Sequence, residues 1–285
     1  MKALLSAIEN ELNERIITCL PVSGGDINKA FCLHTQSSKY FIKVNSNSSF
    51  PGMFEAEAAG LELIGDTGAI AVPQVLLQGN VNDDAYLILK WLDTQSAGAA
   101  DLKLLGTQLA AMHQNTSASF GLYHHNYMGS LRQRNKKHNS WASFFIEERL
   151  EPMVKLAVDN GLLSAKEAAG FDELYHHMPN LFDEEQPALI HGDLWGGNYL
   201  ISTDGKPNLI DPAVSYGHRE FDIAMTTLFG GFGNGFYEAY SAAYPLAQGW
   251  QQRLPLWNIY PLLIHLNLFG GMYKQQVLAN LSRYI

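Results

Sequence analysis

At 285 residues the chain is long enough for about two domains of ordinary size, and its 47% hydrophobic and 11% aromatic content is ample for a packed core. The formal net charge of −9 excludes broad binding to nucleic-acid backbones, which needs a basic footprint, but leaves room for one nucleotide held by a lysine, backbone amides and metal ions. Two cysteines, Cys19 and Cys32, are too few for a disulfide scaffold and have no CxxC or CxxH partner for zinc, so both read as inert thiols in a reducing cytoplasm.

The opening MKALLSAIENEL meets Glu9 and Glu11 too soon for a signal peptide. Leu4, Ile8, Leu12 and Ile16 instead recur every four residues and predict one face of an amphipathic helix. Strands follow over Arg15–Pro21, Lys29–Thr35 and Tyr40–Val44, the last two joined by the polar break Gln36-Ser37-Ser38. Phe54 to Ile64, rich in Glu, Ala and Leu, predicts a helix. Two more strands, Gln74–Leu77 and Ala85–Trp91, flank a turn spread over Gly79 to Asp84.

After Trp91 the character changes. Thr94 to Ala100 is small and polar, as a linker would be, and Leu102, Leu105, Leu109 and Met112 then fall at helical spacing. Trp141–Val158 and Ser164–Met178 predict further helices, the second opened by a capping box of Ser164 and Glu167. Everything from Arg219 onward is mostly helical in pattern, and one hairpin interrupts, with strands at Tyr199–Ile201 and Asn208–Ile210 around Thr203-Asp204-Gly205. The longest apolar stretch, Ile259 to Met272, is broken by His265 and Asn267 and falls short of the ~20 residues of a bilayer span, so no membrane partner is expected. The layout is α+β with two lobes: residues 1–91 form a small antiparallel-sheet lobe with one main helix, and 92–285 a larger, mostly helical lobe.

The chemistry concentrates in His191-Gly192-Asp193-Leu194-Trp195-Gly196-Gly197-Asn198, followed by the hairpin and then Asp211-Pro212. Phosphoryl transfer needs an acceptor hydroxyl held in line, a carboxylate to take its proton, and metal ions to neutralise charge on the phosphate oxygens. In protein kinases the base Asp precedes the metal-binding Asn by five positions, the spacing of Asp193 and Asn198 here (198 − 193 = 5). A hairpin returning to Asp211 supplies a second metal carboxylate. The plain alternative is a polar loop with a glycine turn and an unrelated aspartate.

The first lobe offers an independent check. Tyr40-Phe41-Ile42-Lys43-Val44 sets one lysine inside an apolar strand, a costly placement unless the charge is paired. A phosphate-binding lysine paired with a helix glutamate fits, with Glu57 the chosen partner and Glu55, about 200° around the helix, the alternative. Gly24 and Gly25, one hairpin upstream, allow backbone amides to approach ATP phosphates, and Lys90, Trp91 and Leu92 end the sheet where an adenine edge would bond the backbone. The pairs His124-His125 and His176-His177 read as solvated, His113 as structural, and the aromatic residues of Trp257–Tyr273 as core rather than a substrate platform.

The chain resembles the fructosamine kinases (ketosamine 3-kinases) of the aminoglycoside- and choline-kinase-like phosphotransferases. The resemblance runs nearly end to end, through SGGDIN, YFIKVN, FEAEAAGL, HGDLWGGN, IDPAVSYGHREFDIAM and HLNLFGGMY. It implies a protein-kinase-like fold and transfer of phosphate from ATP, with Mg2+, to the 3-hydroxyl of a free or protein-bound ketosamine. The 3-phosphate then eliminates and frees the amine, a repair of glycated protein. Carried over by position, Asp193 is the base, Asn198 and Asp211 are metal ligands, and Lys43 with Glu57 positions phosphate. Trp195 lies against the sugar, and Glu220 lies below the catalytic loop as either a substrate contact or a support. Where some relatives carry a cysteine in the glycine-rich loop this chain has Asp26, so redox control by that route is not expected. Rival readings are kinases of aminoglycosides, choline or methylthioribose, and a silent ATP-binding pseudokinase. The last is disfavoured by the presence of Lys43, Asp193, Asn198 and Asp211 together.

Overall fold

The computed structural model describes residues 1–22 and 27–285, so Gly24, Gly25 and Asp26 lie outside the described residues. The first helix, α1 (Lys2–Leu12), buries Leu4 and Ile8 completely. It stops four residues before the apolar face predicted from sequence runs out, because Asn13 takes the left-handed conformation (φ 52°) and its N–H bonds the Glu9 carbonyl. Asparagine tolerates that conformation and ends helices with it. Ile16 therefore lies beyond the helix, where its N–H donates to the Glu9 carboxylate at 2.8 Å.

Five antiparallel strands follow: β1 (Thr18–Pro21), β2 (Lys29–His34), β3 (Lys39–Ser46), β4 (Val75–Val81) and β5 (Asp84–Lys90). Their spatial order is β1-β2-β3-β5-β4. Between β3 and β4 the chain forms α2 (Met53–Asp66). Alternation along the strands divides the sheet's side chains. Ile42, Val44, Tyr86 and Ile88 pack with Leu4 and Ile8 of α1, whereas Ala85, Leu87 and Leu89 pack with Phe54, Ala58 and Leu61 of α2. Lys43 stands directly opposite Leu87, and directly opposed residues share a face, so the register aims Lys43 at α2. The six-residue turn expected between β4 and β5 is tighter: β4 continues to Val81, and Asn82 (φ 55°) with Asp83 closes it.

The supposed linker is partly a strand. Thr94–Gln95 pairs with Tyr199–Ser202, which pairs in turn with Pro207–Leu209 in a three-stranded sheet. Helix α3 (Ala99–His113) then buries Leu105, Leu109 and Met112 in a cluster with Phe236 and Tyr240 of the helix Asn234–Ala243. A larger core gathers Trp141, Phe144, Phe145, Phe171, Trp257 and Tyr260. The helix predicted over Trp141–Val158 is not uniform: Trp141–Phe145 and Glu151–Asp159 are α-helical, with a π-helical turn over Ile146–Leu150 between them. Pro152 accounts for the break, since its ring has no N–H to give and crowds the carbonyl four residues back. The capping box at Ser164 is formed, its hydroxyl and Glu167 exchanging hydrogen bonds with each other's backbone N–H.

Candidate active site

The turn carrying Asp193 is built on a buried carboxylate. Asp222, on the short helix Glu220–Met225, accepts from the His191 N–H at 2.6 Å and the Gly192 N–H at 2.8 Å. Gly192 has φ 81°, and a Cβ there would lie 2.2 Å from the Ala213 carbonyl oxygen, so both backbone and space demand glycine. His191 is fully buried, and burial pushes its pKa below the ordinary value despite Asp222. As a neutral ring it donates from Nε2 to the Ile210 carbonyl at 2.9 Å and accepts at Nδ1 from the Asp193 N–H at 3.2 Å. One imidazole thus ties the start of the loop to the strand that leads into Asp211. Behind Asp222 stands His113, 3.2 Å away through Nε2 and bonded through Nδ1 to the Tyr240 hydroxyl at 2.7 Å.

Asn198 closes the loop. Its Nδ2 donates to the Asp193 carbonyl at 2.7 Å and to Asp193 Oδ2 at 3.1 Å, while its backbone carbonyl accepts from the Ile210 N–H at 3.1 Å. The hairpin anticipated from sequence therefore delivers Asp211 beside Asn198. Asp211 occupies the left-handed region (φ 55°), an unusual conformation for a residue with a side chain and one concentrated at functional sites. Its Oδ1 lies 2.6 Å from Lys43 Nζ, which also bonds Glu57 Oε1 at 2.7 Å. Glu57 is accordingly the glutamate that meets Lys43; Glu55 is exposed. At Gly60, α2 comes within contact of Pro212 and Val214, so the first lobe's helix and the segment after Asp211 pack together.

Burial works against the Lys43 charge, but Asp211 and Glu57 outweigh it and hold the ammonium above its ordinary pKa. Burial acts in the same direction as charge on Asp193: desolvation first, then Asp211 and Asp222, push its carboxyl up to about 7, with the Asn198 hydrogen bond pulling the other way. A carboxyl poised there can take a proton from an alcohol at neutral pH. For a divalent cation, Asp211 has an oxygen beyond the one facing Lys43, and Asn198, with its nitrogen committed to Asp193, has its carboxamide oxygen to offer. Carboxylate and carboxamide oxygens are the hard donors that suit Mg2+.

The remaining sequence candidates divide. Trp195 is 39% exposed beside the loop, its ring lying over Gly197. Glu220 is bonded within the protein: it is fully buried, Arg253 clasps its two oxygens at 2.8 and 2.6 Å, and Trp257 Nε1 donates to it at 3.0 Å. Of the segment proposed for adenine, the Lys90 N–H is taken by the Gln74 carbonyl at 2.9 Å and its side chain is exposed. Trp91 and Leu92 are half-buried where the chain leaves β5. Sequence reasoning gave no role to Asn126 and Gln133, which donate to the Val214 and Ala213 carbonyls at 2.8 and 3.1 Å. Their hairpin, Asn126–Met128 with Leu131–Gln133, supports the strand after Asp211, and no periodicity in three-residue strands announces it.

The fructosamine kinase family model matches residues 2–285. A Lactiplantibacillus plantarum protein assigned as a ketoamine kinase is 43% identical over 93% of both chains. The chloroplastic protein-ribulosamine 3-kinase of Arabidopsis thaliana is 36% identical over 93% of this chain and 81% of its own. The crystal structure of a Thermobifida fusca protein assigned as a fructosamine-3-kinase superposes with a TM-score of 0.89 at 30% identity, covering 99% of this chain and 98% of the other. A two-lobe kinase-like fold, this constellation of Lys43, Asp193, Asn198 and Asp211, and a match over the whole length agree: the chain belongs to the fructosamine kinase family.

Proposed function

We propose that this protein transfers the γ-phosphoryl group of ATP to the 3-hydroxyl of a ketosamine, free or on a protein lysine. The observation that carries the reading is the meeting of Lys43 with Asp211, which brings a strand of the first lobe and the carboxylate following the catalytic loop into one ion pair at 2.6 Å. Residues 1–91 then serve as the ATP-binding lobe and 92–285 as the lobe that holds the acceptor.

In this reading Asp193 orients the acceptor hydroxyl through the carboxylate oxygen not bonded to Asn198. The proton of the 3-hydroxyl passes to that oxygen as the new O–P bond forms and the bond to the β–γ bridging oxygen breaks. Lys43, fixed by Glu57, steadies the nucleotide phosphates, and the backbone of Trp91 and Leu92 meets the adenine edge. Asn198 and Asp211 would hold Mg2+, whose charge would offset that on the phosphate oxygens. Trp195 sets a ring face against the C–H edge of the sugar. Ketosamine 3-phosphates eliminate readily, so the consequence is release of the amine and repair of glycated protein. Free thiols at Cys19 and Cys32 fit a cytoplasmic setting for that repair.

The test is ADP release from purified protein with Mg-ATP and ribuloselysine, fructoselysine, an aminoglycoside or choline, beside Asp193→Ala. Turnover on a ketosamine that vanishes in the variant, and on adding EDTA, is the expected result. Turnover confined to another acceptor would reject the substrate and retain the phosphotransferase.

A further inference from the structure

The aromatic residues near the C-terminus do not all enter the core. From the catalytic loop a continuous line of rings runs outward: Trp195 to Phe229 (centroids 6.1 Å apart), Phe229 to His265 (4.8 Å), and His265 to Phe269 (5.5 Å) and Tyr273 (5.1 Å). Phe229 is 39% exposed, Phe269 48%, and the neighbouring Met272 75%. Single exposed apolar residues need no explanation, but a contiguous line of them starting at a reactive centre does. His265 belongs to the apolar surface: Nδ1 is spent on the Pro261 carbonyl at 2.8 Å, and burial pushes its pKa below the ordinary value.

The inner end of the line is held by a steric device. A Cβ on Gly197 would lie 2.4 Å from the Trp195 ring, whereas one on Gly196 would meet nothing within 4 Å. Neither glycine has a positive φ, so the demand for glycine at 197 comes from the ring that rests on it.

Resting on the ketosamine reading, we infer that this wall receives the carbon substituents of the acceptor's amine, and that the enzyme prefers ketosamines borne by lysines with apolar neighbours. The acceptor's own chemistry sets the direction. The reacting oxygen is on C3 and the amine on C1, two bonds along the chain, while C4 and beyond carry a hydroxyl on every carbon. Beyond Trp195, whose ring face meets the sugar's C–H edge, the exposed side chains of Phe229, Phe269 and Met272 gain nothing from the hydroxyls of a polyol and remove from water the methylenes of a lysine and the side chains beside it. Burial of roughly 60 Å² of such surface corresponds to about tenfold in kcat/KM.

The experiment compares two acetylated pentapeptides whose central lysine carries the same ribulose-derived ketosamine, one flanked by leucine and phenylalanine and one by serine and glycine. The full-length protein is expected to favour the apolar peptide about tenfold in kcat/KM, with the difference in KM. That ratio should fall toward one in Phe269→Ser and again in Met272→Ser, whose exposed positions leave folding intact. Gly197→Ala should also lower it by displacing the Trp195 ring. Equal kcat/KM for the two peptides in the unaltered protein, or an unchanged preference in both serine variants, would overturn the inference while leaving the kinase assignment in place. Absence of turnover on either peptide and on free ribuloselysine would instead sink the ketosamine reading, and this inference with it.

Discussion

Asp222 Oδ1 lies 2.8 Å from the Gly192 amide nitrogen, with Oδ2 2.6 Å from that of His191, so one buried carboxylate fixes the turn from which Asp193 projects. Asp222→Asn replaces one acceptor by a donor facing a donor. Turnover is expected to drop about 100-fold through misplacement of Asp193, and unfolding free energy by about 2 kcal/mol for the amide left unpaired. ATP affinity should stay within a few-fold. A variant that keeps wild-type kcat, followed by ADP release, would show that the turn holds its shape without this anchor.

The charged form of Asp193 costs stability, and the pH dependence follows from the sign of its pKa shift. Its folded pKa of about 7 lies above the ordinary 3.8, so the folded state binds the proton more tightly than the unfolded chain. Its contribution to stability is therefore full below about pH 4 and is lost as pH rises through 7. In EDTA, Asp193→Asn should melt several degrees higher than wild type at pH 8, and the gain should shrink steadily toward pH 4. A gain independent of pH would remove the buried-charge explanation.

Lys43 and Glu57 are both largely buried, with side-chain exposures of 7% and 10%. Lys43→Met removes the cation and leaves two carboxylates facing each other. The expected cost is about 3 kcal/mol of stability, together with a raised KM for ATP and a lowered kcat. Adding Glu57→Gln should recover part of the stability and none of the activity. Thermal melts of the single and double variants separate the two effects; additive losses would mean that the residues do not act as a pair.

Glu220 should behave as a support. Glu220→Gln leaves the Arg253 guanidinium without its carboxylate and is expected to lower stability by about 3 kcal/mol, with acceptor KM changed less than twofold. A tenfold rise in KM at an unchanged melting temperature would return Glu220 to the substrate site.

Local sequence carried a great deal here. An apolar strand interrupted by one lysine, an Asp and an Asn five apart, and a hairpin leading to a second Asp are each legible because their signal lies within a few residues. So is the capping box of Ser164 and Glu167, whose two partners are neighbours on one turn. The segment after α1 was not legible in this way: apolar spacing continues to Ile16, while the helix end rests on the single conformational choice of Asn13.

What the sequence determined by itself was the chemistry: which side chains are available and at what spacing along the chain. Tertiary structure decided which of them meet. Lys43 and Asp211 are 168 positions apart, and only the sheet register and the return of the hairpin place them 2.6 Å apart. Glu220 and Asp222 sit two residues apart on one short helix, yet one is spent on Arg253 and the other on the turn that carries Asp193. Phe269 and Tyr260 read alike as helical aromatic residues, but one is exposed beside His265 and the other is buried under Gln133. Burial and partnership are properties of the packed surfaces around a residue, and those surfaces come from distant parts of the chain.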